Sequence, residues 1–112
     1  MSAKLNYVEL AVGDIGTAKR FYAEALGLQF TDYGPSYAAA EGGDVALGLQ
    51  GDAAAAPPAP LAIFQVDDLE AALARVEAAG GAVTVPIFAF PGGSRFHFRD
   101  PAGNELAVWE QA

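Results

Sequence analysis

Hydrophobic and polar residues alternate along Lys4–Val12, with Leu5, Tyr7, Glu9 and Ala11 on one side and Val8, Leu10 and Val12 on the other. A period of two predicts a β-strand. Asp14 follows where an N-cap accepts a backbone N–H, and Ile15, Ala18, Phe21, Tyr22 and Ala25 then recur at helical spacing up to Gly27. Phe21 and Tyr22 are expected to pack between that helix and a sheet. Leu28–Tyr33, Ser36–Glu41 and Val45–Gln50 read as three short strands, punctuated by Gly34-Pro35 and Gly42-Gly43. The stretch Gly51–Pro60 (GDAAAAPPAP) can continue neither helix nor ladder and reads as a semi-rigid linker. The pattern then restarts. Leu61–Val66 is a strand, and Asp67 is placed as the cap of a helix with Glu70 at capping-box spacing. Its apolar stripe is Leu69, Ala72, Leu73, Val76 and Ala79, and Gly80-Gly81 stops it. Ala82–Ile87 is a strand, a Pro91-Gly92-Gly93 turn follows, and two alternating strands from Arg95 to Glu110 close the chain around Asp100-Pro101-Ala102-Gly103.

Both halves therefore read β-α-β-β-β, and they also correspond position by position. An offset of 54 residues lays Val12 on Val66, Asp14 on Asp68, Ala18 on Ala72 and Gly27 on Gly81. Self-similarity of this kind signals a duplicated unit whose halves bury their faces against each other. The expected fold is α+β: two βαβββ modules in tandem, each a curved four-stranded mixed sheet with one helix, forming a cleft. The modules span 4–50 and 61–110, joined by the linker 51–60 within a single domain of 1–112.

The closing hairpin has two unlike faces. Phe96, Phe98, Leu106 and Val108 form an apolar set that reads as core. Arg95, His97 and Arg99, with Glu105, Ala107 and Trp109 on the return strand, mix charge, imidazole and indole. Pro101 pre-sets its own φ and Gly103 supplies a positive one, so the turn between the two strands is tight.

Composition narrows the chemistry. The chain of 112 residues suffices for one domain with a real core. It has no cysteine, which excludes disulfides, thiolate metal sites and cysteine nucleophiles. Fourteen acidic against six basic residues give a net charge of −8, which disfavours nucleic acid and anionic membranes as partners. Neither a basic segment followed by an apolar run nor a spanning stretch occurs, so a cytoplasmic location is expected.

The head segment VELAVGDIGTAKRFYAEALGL, with Val12, Asp14, Ala18, Phe21 and Tyr22 in the pattern Val-x-Asp-x-x-x-Ala-x-x-Phe-Tyr, and the tail FRDPAGNELAVWE carry a resemblance. Together with the duplicated βαβββ unit they resemble the vicinal oxygen chelate superfamily, which includes glyoxalase, fosfomycin-resistance proteins, extradiol dioxygenases and bleomycin-resistance proteins. The resemblance implies metal-ligand positions on the first and last strand of each module. Carried over, these fall on Tyr7, on Leu47 or Leu49, on Leu61 and on Ala107. Leucine and alanine have no lone pair to offer, and a protonated tyrosine is a poor ligand. The expectation is therefore no metal and no cofactor, in the manner of the bleomycin-resistance-like branch, whose members sequester small molecules and form dimers that exchange modules. A homodimer is expected here.

The candidate ligand-binding residues are Tyr7, Glu9, Gln65, Arg95, His97, Glu105 and Trp109, taken as pointing into the cleft by alternation. Arg95 and Arg99 suit a carboxylate or phosphate, unless Glu9 and Glu105 neutralise them internally. His97 is a hydrogen-bonded strand residue, a ligand contact or a general base. Glu9, mid-strand among apolar neighbours, needs a partner or a raised pKa. Tyr7 and Trp109 offer flat walls for a planar molecule, with Tyr33, Tyr37, Phe88 and Phe90 at the rim. The partner is thus a small organic molecule, planar or anionic. Two alternatives stand beside this. One is a lyase, isomerase or dioxygenase using Glu9 and His97 as an acid–base pair, or a shifted metal site built from Glu9, Gln65, His97 and Glu105. The other is a non-catalytic accessory subunit whose cleft is filled by Leu47, Leu49 and Leu61.

Overall fold

The computed structural model describes residues 2–112. They form two compact units, Asn6–Leu61 and Ala62–Ala112, the second including the N-terminal residues up to Leu5. The first half carries β1 (Lys4–Ala11), α1 (Ile15–Leu26), β2 (Thr31–Asp32), β3 (Tyr37–Ala40) and β4 (Ala46–Gln50), with the strands in the order β2-β3-β4-β1. β1 runs parallel to β4, and the other neighbours are antiparallel. The second half carries β5 (Leu61–Gln65), α2 (Leu69–Ala78), β6 (Ala82–Phe90), β7 (Gly93–Arg99) and β8 (Glu105–Gln111), in the order β5-β8-β7-β6. β5 and β8 are parallel, and β6, β7 and β8 form an antiparallel meander. The fold is α+β, and both halves have the β-α-β-β-β order that the repeat predicts.

The helices start as carboxylate caps require. Asp14 accepts from the Thr17 N–H at 3.1 Å, and this bond holds its carboxyl below the usual aspartate range. For α2 the cap is Asp68, not Asp67. Asp68 has extended backbone and accepts from the Ala71 N–H at 3.1 Å. This shift of one residue moves Glu70 out of capping-box position. A residue from the far end of the chain satisfies another first-turn donor: Glu110 Oε1 accepts from the Leu69 N–H at 2.7 Å.

Two strand boundaries also differ from expectation. β2 shrinks to Thr31–Asp32 because the chain leaves α1 through a capping turn, in which Gly27 and Leu28 donate back to Ala23 and Tyr22. β6 continues past Pro86 to Phe90. It lies at the edge of its sheet, where a missing N–H is tolerated, and its register against β7 shifts between Val83, Val85 and Phe88.

The core is concentrated under α2. Leu69 and Ala72 pack with Val66, Phe96 and Val108, and Leu73, Val76 and Phe98 join at the margin. The apolar side of the closing hairpin is therefore the helix side, as its alternation predicts. α1 behaves differently and buries none of its residues. Phe21 is 59 % exposed, which corrects its placement in the core, while Tyr22 is half-buried and meets the Phe21 ring edge-on at 5.1 Å. On that side β3 offers only the small residues Ala38 and Ala40.

The hairpin turn forms as predicted. Asp100 accepts from the Asn104 and Ala102 N–H groups and from Asn104 Nδ2, and these bonds hold its carboxyl below the usual range. Gly103 takes φ 97°, a conformation that side chains disfavour.

Candidate functional site

In the first unit, β1 brings Tyr7 and Glu9 to one face by alternation. The parallel register pairs Glu9 with Gly48 and Tyr7 with Ala46, and Gly48 in turn pairs with Ala39 on β3. Paired residues share a face, so Tyr37, two residues before Ala39, stands on that face too. Its hydroxyl lies 2.6 Å from the Tyr7 hydroxyl and donates to Glu9 Oε1 at 3.0 Å. Glu9 is 1 % exposed, so its carboxylate meets protein groups such as the Tyr37 hydroxyl rather than water. Burial, and after it the Glu9 charge, drives the Tyr37 phenol far above its usual pKa and keeps it neutral at every ordinary pH. Tyr7 and Glu9 are further engaged beyond these contacts.

Gly48 makes this arrangement possible. A Cβ there would fall against the hydroxyls of both tyrosines and the Tyr7 ring. The register also corrects the fourth-strand assignment. Neither Leu47 nor Leu49 shares the face of Tyr7, because each lies one residue from Gly48 and points to the α1 side. Leu49 is fully buried there. Also on that side, a cavity of about 610 Å³ is lined by Leu28, Phe30, Val45 and Leu47 with Glu41 among them, and it includes none of the predicted site residues.

In the second unit the mixed face of the hairpin is real. The register aligns Arg95 with Trp109, His97 with Ala107 and Arg99 with Glu105, and on the other side Arg95 with Phe88. The Arg95 guanidinium carbon lies 5.4 Å from the Phe88 ring centre and 5.9 Å from that of Phe90, both within cation–π range. Phe90 lies 6.3 Å from the Trp109 ring, and Phe88 5.9 Å from His97. The side chains form a continuous row, His97–Phe88–Arg95–Phe90–Trp109, with the cation at its middle. Gln65 is aligned with Trp109 on β5 and is half-buried. Glu105 accepts from the Thr84 hydroxyl at 2.9 Å and lies 3.6 Å from His97 Nδ1, an ion pair only when the imidazole is protonated. Arg99 is exposed beside the turn.

The predicted residues thus fall into two groups, Tyr7 with Glu9 in one unit and Arg95, His97, Glu105, Trp109 and Gln65 in the other. Of the expected rim, Phe88 and Phe90 flank Arg95, Tyr37 sits at the centre of the first group, and Tyr33 is exposed and donates to Glu41. Sequence reasoning missed Gly48 and Thr84 and undervalued Tyr37. A glycine in mid-strand was the available signal, because such a glycine often marks a close approach. Leu61 and Ala107 are 2 % and 0 % exposed and carry no donor atom. Among the described residues no three His, Cys, Asp or Glu side chains are grouped to hold a metal ion, and no helix is long and apolar enough to cross a membrane.

Comparison with known proteins sets these features in a family. The sequence profile of the Glyoxalase/Bleomycin resistance protein/Dioxygenase superfamily matches residues 4–108. CFP32, a candidate glyoxylase of Mycobacterium bovis and Mycobacterium tuberculosis, is 29 % identical over 94 % of this chain. The chain spans less than half, 44 %, of the length of those relatives. Among solved structures, protein BH1468 of Bacillus halodurans superposes with a TM-score of 0.80 at 18 % identity, covering all of this chain and 96 % of that one. Methylmalonyl-CoA epimerase of Mycobacterium tuberculosis superposes with 0.76 at 18 % identity, covering 97 % and 88 %. At such identities the structures speak for the fold, and the profile speaks for descent. The chain belongs to the glyoxalase/bleomycin resistance protein/dioxygenase superfamily.

Proposed function

We propose that this chain binds a small planar organic anion and does so without a divalent metal at the family's ligand positions. The observation that carries the proposal is the row around Arg95. A guanidinium flanked by Phe88 and Phe90, with Trp109 beyond, sets a positive charge among flat apolar walls. An aromatic carboxylate matches both parts, its ring suited to the walls and its charge to the guanidinium.

The residues at the inherited metal positions do not fit a divalent ion. Tyr7 has its hydroxyl on Tyr37, Gly48 has no side chain, and Leu61 and Ala107 have no lone pair. No step through a metal is derived for this chain. Self-association as a homodimer belongs to the same proposal, supported by the exposed apolar residues Phe21, Leu26 and Val45. Sedimentation equilibrium is expected to return a dimer mass, and a monomer at all concentrations would reject that part.

Trp109 is the only tryptophan, so its emission reports on the row directly. Titration with 2-naphthoate is expected to quench it saturably, and Arg95→Gln to weaken that binding about tenfold or more, the scale of a lost charged hydrogen bond. Absence of saturable quenching by naphthoate, benzoate and salicylate alike would reject the binding proposal. Stoichiometric divalent metal in protein purified without a polyhistidine tag would reject its metal-free form.

A further inference from the structure

The cavity of about 610 Å³ on the α1 side of the first unit is a second feature, which ligand binding by the Arg95 row does not use. Its walls come from residues 27–31, which leave α1 and enter β2, and from the turn between β3 and β4, with Ala40 and Leu47 contributed by the strands. Leu28, Phe30 and Leu47 are half-buried, and Val45 is 47 % exposed. Glu41 is the only charged side chain among the described lining residues. We infer that this cavity binds a primary ammonium ion carried on a small apolar body, the ammonium at the Glu41 carboxylate and the body against Leu28, Phe30, Val45 and Leu47.

The sign of the ligand follows from charge complementarity. No cation lines the cavity, and a chain of net charge −8 repels a second anion. The volume lies within the range of about 300–1,000 Å³ over which small molecules are bound. The carboxylate is held in place rather than left to swing. The Tyr33 hydroxyl donates to Glu41 Oε1 at 2.6 Å, and Tyr33 is itself anchored by its N–H, which donates to the Tyr37 carbonyl at 2.8 Å. The bond to Glu41 raises the Tyr33 phenol above its usual pKa, so Tyr33 remains a donor. It occupies one of about four lone-pair positions on the carboxylate, and the donors of an ammonium suit the others. The turn at Gly42 and Gly43 supports the same reading. Neither glycine takes a positive φ, and a Cβ would meet nothing within 4 Å at Gly42 and only the Val45 carbonyl, at 3.7 Å, at Gly43. Neither backbone nor packing demands glycine there, and the pair leaves that part of the wall without side chains.

Phenethylammonium is the probe, with phenethyl alcohol and hydrocinnamate as its neutral and anionic counterparts. In nitrogen-15 correlated NMR spectra at physiological salt, the amine is expected to shift the backbone amides of Gly27, Phe30, Gly42 and Gly43 saturably. Both counterparts are expected to bind at least about fivefold more weakly, and Glu41→Gln to weaken the amine by about fivefold, the scale of one solvent-accessible ion pair. Glu77→Gln removes the same charge from α2 and is expected to change nothing, which separates a site from general attraction to an acidic surface. Comparison of the three probes on the wild-type chain needs no variant to fold. Absence of saturable shifts, equal binding of amine and alcohol, or wild-type affinity in Glu41→Gln would overturn the inference. Sedimentation equilibrium tests a competing occupant. The mass is expected to be the same with and without amine, and a fall on its addition would show a second copy seated on the cavity and overturn the small-molecule reading. None of these outcomes bears on naphthoate quenching of Trp109, whose ligand has the opposite charge, so the two proposals fail separately.

Discussion

At Gly48 one added methyl group would meet the Tyr7 hydroxyl, the Tyr7 ring and the Tyr37 hydroxyl. Overpacking of a filled site costs about 1–3 kcal/mol. Gly48→Ala is therefore expected to lower stability by that amount in urea unfolding. Asp100 makes a different prediction, about acid. Hydrogen bonds from Asn104 and its neighbours depress its carboxyl below the ordinary value of 3.8. A depressed pKa contributes stability that is complete above that value and is lost as pH falls through the folded-state pKa. The urea midpoint of Asp100→Asn is expected to fall less steeply than wild type below pH 3.8, with Asp14 contributing to both profiles in the same sense. Glu9's need for a partner was legible in the chain, because a charge between apolar neighbours cannot stand alone. Its partner was not. Tyr37 reaches Glu9 only through the registers of β1 on β4 and β4 on β3, and a one-residue slip in either moves every side chain to the opposite face.

The two helices show how the same pattern yields unlike packing. Both follow an aspartate cap and end near a glycine, and both show apolar residues at helical spacing. α2 lies over Phe96 and Val108 and buries Leu69 and Ala72, whereas none of the residues of α1 is buried and the β3 residues on its side, Ala38 and Ala40, are small. Periodicity reveals which stripe a helix offers, but not how large the facing residues are. The α2 N-terminus illustrates a related limit. Capping-box spacing pointed to Asp67, while the structure uses Asp68 and supplies the second acceptor from Glu110, 41 residues away. Asp68→Ala is expected to cost about 0.5–2 kcal/mol in chemical denaturation. Asp67→Ala is expected to be silent by the same measurement, since α2 does not use it as its cap.

For the whole molecule, the order of elements, the duplication and the family were all readable, because each rests on local pattern repeated twice. The clustering of site residues was less so, because alternation assigns a residue to a face but not to its neighbours across strands. The edge strand β6 carries a consequence of another kind. Its sequence AVTVPIFAF is almost wholly apolar, with Ile87 and Phe88 39 % and 36 % exposed. An uninterrupted strand of this composition at a sheet edge is a template on which further chains can stack into fibrils. Pro86 removes one donor from the ladder, and the register shifts on either side of Val85 bend what remains. A proline at this position is expected to oppose such growth. Pro86→Val is expected to leave the native fold intact at low concentration yet shorten the lag before thioflavin fluorescence rises under agitation, and an unchanged lag would assign that protection to the bulges alone.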